Sequence, residues 1–114
     1  MDHLPALGTD IGQNAIPTFK TYAPLLGAAS PTFFQPSTYH YSSDNNITRH
    51  ELDVYLPETP GKHPVMVFVH GGGLIKGDKQ MPFRGAHQNV GTFFAKRGYT
   101  TVSLSYHCVQ CSLC

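Results

Sequence analysis

Hydrophobic and polar positions alternate in two different ways along the second half of the chain. In His50–Leu56, Leu52, Val54 and Leu56 alternate with Glu51, Asp53 and Tyr55. A period of two predicts a half-buried strand. The preceding run Ser37–Ser42 is also β-prone, and Asp44-Asn45-Asn46 between the two runs is a turn signal. Together they predict an antiparallel hairpin, ended by Pro57 and Pro60. Val65–Val69 reads Val-Met-Val-Phe-Val, apolar at every position. That pattern predicts a central strand covered on both faces. Over Gln88–Arg97 the spacing changes to that of a helix, with Val90, Phe93, Phe94 and Arg97 on one side, Asn89 as a candidate cap and Gly98 suited to the C′ position. Thr100–Ser105 returns to strand character. Strand, loop, helix and strand make a βαβ unit, with parallel strands and a right-handed crossover. The fold class expected is therefore α/β, a hairpin followed by βαβ.

Residues 1–36 break this order. Pro5, Pro17, Pro24, Pro31 and Pro36 each remove a backbone donor and disfavour helix at the residue before. An irregular arm is expected here, with one helical turn around Thr18–Tyr22, packed over the domain that begins at Ser37.

Composition narrows the function. A chain of 114 residues is one small domain. Its 8 Lys and Arg nearly balance its 7 Asp and Glu, and no basic block exists to attract nucleic acid or an anionic membrane. The apolar run Tyr22–Ala29 is too short to span a bilayer and contains Pro24. Asp2 and Asp10 precede it, which suits a signal peptide poorly and points to a cytoplasmic protein.

The candidate chemistry lies directly after the apolar strand, in His70-Gly71-Gly72-Gly73-Leu74-Ile75-Lys76-Gly77-Asp78-Lys79. Glycines at the carboxyl end of a strand let backbone N–H groups approach a ligand. Two phosphate-binding patterns fail on spacing. A dinucleotide fingerprint from Gly71 meets Lys76 where glycine is required. A P-loop from Gly72 reaches Gly77 but then meets Asp78 where lysine is required, and an aspartate there repels phosphate. The third pattern fits: His-Gly-Gly-Gly after a strand is an oxyanion-hole loop, whose N–H donors stabilise the charged oxygen of an acyl-transfer intermediate. A turn without a chemical role is the simpler alternative.

With LDVYLP, HPVMVFVHGGG, GDK, NVGTFFAKRGY and TTVSLSY in order, residues from Ser37 to Tyr106 resemble the N-terminal third of an α/β-hydrolase. The resemblance is to the esterase/lipase branch that includes hormone-sensitive-lipase-like esterases and kynurenine formamidases. It implies a partial α/β-hydrolase fold, oxyanion N–H groups from Gly72 and Gly73, and a loop supported by His70, Gly71 and Asp78. It also implies a small-molecule ester substrate for the parent protein, with an arylformamide as the alternative, and no metal or organic cofactor. Leu74 departs from the aromatic residue common in that branch. Counted against the family's sheet, the strand Thr100–Ser105 is expected to be an exposed parallel edge, which favours self-association.

The nucleophile is missing from this stretch. No Gly-x-Ser-x-Gly occurs anywhere in the chain, so no catalytic nucleophile, acid or base is assigned and the chain alone is expected to be inactive. A non-catalytic binding or regulatory role is the alternative. The tail 107–114 contains all three cysteines, Cys108, Cys111 and Cys114. Their spacing matches the start of an iron–sulfur run but lacks the fourth thiolate. The expectation is therefore a tail that binds no metal, arising from a truncated product.

Overall fold

The computed structural model describes residues 10–29, 34–44, 48–75, 77–79 and 87–109. Its order is helix α1 (Ile11–Ala29), strand β1 (Ser37–His40), a short 3₁₀ turn (Thr48–His50), β2 (Glu51–Tyr55), β3 (Val65–Val69), helix α2 (Gln88–Ala95) and β4 (Thr100–Leu104). The four strands form one mixed sheet in the order β1-β2-β4-β3. β1 and β2 are the expected antiparallel hairpin, with Ser37 opposite Val54 and His40 opposite Glu51. Asn45 and Asn46 of the expected turn lie outside the described residues. β3 and β4 run parallel, Val65 opposite Thr100 and Val69 opposite Leu104, with α2 between them in sequence.

Three expectations are corrected. The first concerns the edge. β4 is central, because β2 pairs with it antiparallel on the side away from β3, and the described edges are β1 and β3. The second concerns burial. β3 is not covered on both faces: Val65, Val67 and Val69 are 64%, 55% and 55% exposed. In β2 the side that is packed is Asp53 and Tyr55, at 2% and 1% exposure, while Leu52 and Val54 are half-buried and Leu56, just past the strand, is open. α2 settles this choice by lying on the Tyr55 side. A Cβ on Gly91 would come 2.4 Å from the Tyr55 ring, so only glycine lets helix and sheet approach so closely.

The third concerns the N-terminal region. α1 is a helix with Pro17 and Pro24 inside it. Asp10 starts it, accepting from Gln13 N through Oδ1 at 3.2 Å and from Asn14 N through its carbonyl at 2.9 Å, the N-cap pattern. The Pro17 carbonyl accepts from Thr21 Oγ1 at 3.0 Å. The prolines fall seven positions apart, which places their missing donors on one side of the helix. Residues 1–9 and 30–33 lie outside the described residues.

α2 stops as its sequence predicts. Gly98 has φ +84°, Tyr99 N donates to Phe94 O at 3.1 Å, and Gly98 N donates to Ala95 O at 3.0 Å. These are the two bonds of a Schellman motif with glycine at C′. The helix begins at His87 without a side-chain cap, so Asn89 lies inside it.

Candidate functional site

The glycine loop leaves the carboxyl end of β3. Gly71, Gly72, Gly73, Leu74 and Ile75 are exposed. Gly72 has φ +132°, Gly73 +63° and Leu74 +60°, and Ile75 N donates to Gly72 O at 3.1 Å. This is a tight turn with both central residues left-handed, as in a type I′ turn. Glycine accepts that geometry freely. Leu74 does not, at a cost of about 1–2 kcal/mol. Among the described residues, no acceptor is paired with the backbone N–H of Gly72 or Gly73.

The base of the loop is fixed. His70 is buried, and its Nδ1 lies 2.9 Å from Gly71 O. A carbonyl only accepts, so Nδ1 carries the proton and Nε2 is left as an acceptor. That Nε2 is buried without a partner among the described residues. The His70 ring stacks on Tyr106 at 4.2 Å and 11°, and Tyr106 Oη donates to His70 O at 3.0 Å. The His87 ring lies nearly parallel to the His70 ring, at 6.2 Å and 16°. Gly77 closes the loop against this ring with φ +124°. A Cβ there would lie 2.6 Å from both Gly71 O and His70 Nδ1, so the position admits no side chain without moving the loop.

The return limb is held from three directions. Asp78 pairs with Arg49 at 3.1 Å, and its carbonyl accepts from His87 Nδ1 at 2.8 Å. Arg49 Nη1 also donates to Gly77 O. The segment after β4 completes the hold: Val109 N donates to Leu74 O at 3.0 Å, and the buried Cys108 thiol faces Gly77 O at 3.9 Å. Cys111 and Cys114 lie outside the described residues, and among those described no group of His, Cys, Asp and Glu is arranged to hold a metal ion.

Lys79 enters the packed side of the sheet. It is 6% exposed, and its Nζ lies 2.6 Å from Asp53 Oδ1 and 3.1 Å from Glu51 Oε2. Thr38 Oγ1 donates to the same Asp53 oxygen at 2.8 Å. Nearby, burial and then the Asp53 charge push the Tyr55 phenol from 10.0 up to about 12. The structure thus brings His70, Gly71, Gly72, Gly73 and Asp78 into one loop, as their adjacency in sequence requires. Sequence reasoning missed Tyr106, Gly77 and the Lys79–Asp53 pair as its supports. Asp53 on the regular β2 alternation was the available signal, since Lys79 is the buried cation that it meets.

A family model described as BD-FAE matches residues 52–113, which covers β2, β3, the glycine loop, α2, β4 and most of the tail. Among solved structures the chain is similar to a thioesterase candidate from Silicibacter sp., with 25% identity and a TM-score of 0.51 over 78% of this chain and 33% of that one. The chain thus spans about a third of the length of that structure. No curated protein matches it.

Proposed function

The chain belongs to the BD-FAE family, an α/β-hydrolase family of esterase type, and from that premise we propose that it provides the oxyanion side of a site that hydrolyses carboxylic esters. The observation that carries this reading is the exposed turn Gly72–Ile75 at the carboxyl end of β3, whose base is fixed by the His70–Tyr106 stack and by Gly77. In the proposed mechanism a serine attacks the ester carbonyl, and the N–H groups of Gly72 and Gly73 receive the developing oxyanion. The alcohol leaves, and water hydrolyses the acyl-enzyme. A donor already held in place stabilises the charge without reorganising in the reaction, and each is worth about 3 kcal/mol. Exposed Leu74 and Ile75 supply an apolar wall for the acyl group. The serine, its base and its acid come from residues outside this sequence, within the same protein. An arylformamide is the second substrate class.

Two measurements on the 114-residue chain and its transcript test this. Turnover of p-nitrophenyl acetate should equal that of a heat-denatured sample, and a fluorophosphonate probe should label no serine. Reading past codon 114 should find Gly-x-Ser-x-Gly about 60 to 90 residues further on. Stoichiometric labelling of a serine within the chain, or a continuation without that elbow, sinks the reading.

A further inference from the structure

We propose that Arg49 is a positioning residue for the glycine loop: by holding Gly77 against the Gly71 carbonyl, it fixes the direction in which the Gly72 N–H points. The proposal rests on the reading of that loop as an oxyanion hole. It adds a residue that precedes the stretch shared with the family, which begins at residue 52.

A trans peptide is planar, so its N–H points opposite to its own C=O. No described peptide bond is cis. The direction of the Gly72 N–H is therefore set by what holds Gly71 O, and that of the Gly73 N–H by what holds Gly72 O. Ile75 N holds the second oxygen at 3.1 Å, within the turn itself. His70 Nδ1 holds the first at 2.9 Å, from a buried ring. Gly77 lies against this bond, since a Cβ on it would stand 2.6 Å from both Gly71 O and His70 Nδ1. Its backbone thus closes over the contact that orients the Gly72 donor. Were Gly77 to lift, the His70 ring and the Gly71 carbonyl would have room to turn apart.

Arg49 holds Gly77 down. Its Nη1 donates to Gly77 O and lies 3.1 Å from the Asp78 carboxylate, so one guanidinium grips two consecutive residues of the return limb. The side chain is only 14% exposed, and a charge-assisted bond gains strength where water is excluded. Arg49 is itself anchored, in the 3₁₀ turn before β2. Tyr41 N donates to His50 O at 2.9 Å, and Tyr41 Oη lies 3.2 Å from Arg49 O and 2.9 Å from Ser105 O. The ends of the β1–β2 hairpin and of β4 are thereby tied to the loop through one side chain.

Nuclear magnetic resonance on the isotope-labelled 114-residue chain tests this without any reaction. In the unchanged chain His70 should carry its proton on Nδ1, because the bond that a ring nitrogen makes sets the tautomer. The Arg49 guanidinium protons should show a through-space contact with Gly77. Arg49→Met keeps an unbranched stem and removes both contacts. It should shift the Gly72 amide resonance and mix the two His70 tautomers. It should also speed exchange of the Ile75 amide by about tenfold or more, while the β4 amides stay within about threefold of the unchanged chain. A folded Arg49→Met variant with the same His70 tautomer and Gly72 resonance overturns the proposal. So does a loss of protection as large in β4 as at Ile75, which would make Arg49 a general stabiliser. If the variant does not fold, the unchanged chain decides: a His70 proton on Nε2, or a guanidinium that rotates freely, overturns the proposal. The ester reading fails on separate grounds, since a continuation without the serine elbow would sink it and leave these signals as they are.

Discussion

The two faces of the sheet differ in the opposite sense to a simple inside–outside rule. One face presents Leu52, Val54, Val67, Val69, Val102 and Leu104, with β3's valines more than half exposed and the rest half-buried. The other presents Asp53, Tyr55, Thr101 and Ser103, all at 2% exposure or less, beneath α2 and the Lys79 limb. The polar face is packed because its charges are paired and its helix fits. Lys79 answers Asp53 and Glu51, and Gly91 admits the Tyr55 ring. The apolar face has the composition for burial but, among the described residues, no element lies over it. Packing in this chain therefore follows which partner is present, and hydrophobicity alone does not decide it.

The largest expected break in this contrast is Lys79→Met. It leaves Asp53 buried with only the Thr38 hydroxyl, and should destabilise the fold by about 3–5 kcal/mol, read as a lower midpoint in a urea melt. Combining it with Asp53→Leu removes both charges and should recover most of that loss. If the single and double variants melt alike, the pair is not what holds this face together.

Gly91→Val comes next. Its side chain would enter the Tyr55 ring, and the helix must lift from the sheet at a cost of about 1–3 kcal/mol. A midpoint equal to that of the unchanged chain would mean that α2 does not pack this closely.

A pH titration reads the same face more gently. The folded chain holds the Tyr55 proton up to about 12, whereas the unfolded chain releases it near 10.0. Between those values the folded state binds more protons, so stability is fully present below about pH 10 and falls as pH rises through the window. Tyr55→Phe should flatten that decline relative to the unchanged chain, and an unaltered slope would assign it to other groups.

The smallest effect is expected on the open face. Val69→Thr keeps the β-branched shape and should change the melt of the monomer by less than about 0.5 kcal/mol, measured at a concentration too low for association. A larger loss would show that something covers this face.

Much of the fold was legible because it depends on local pattern. The period-two alternation at Glu51–Tyr55, the apolar run Val65–Val69, the helical spacing from Gln88 and the glycine at 98 each specify an element through backbone geometry that the sequence carries by itself. The glycine triplet was legible for the same reason, since adjacent residues cannot be separated by folding. α1 was obscured by its prolines, although Asp10 offered the capping signal.

What the sequence determined alone was the kind and order of these elements and the glycine turn at the end of β3. Only the tertiary structure decided which face of each strand is packed, which strands are the edges, and that Lys79, Gly77 and Tyr106 support the loop. Alternation fixes that two faces differ, but either can be inside. The choice depends on contacts between residues far apart in the chain, such as Lys79 with Asp53 and Gly91 with Tyr55, and no local period records them.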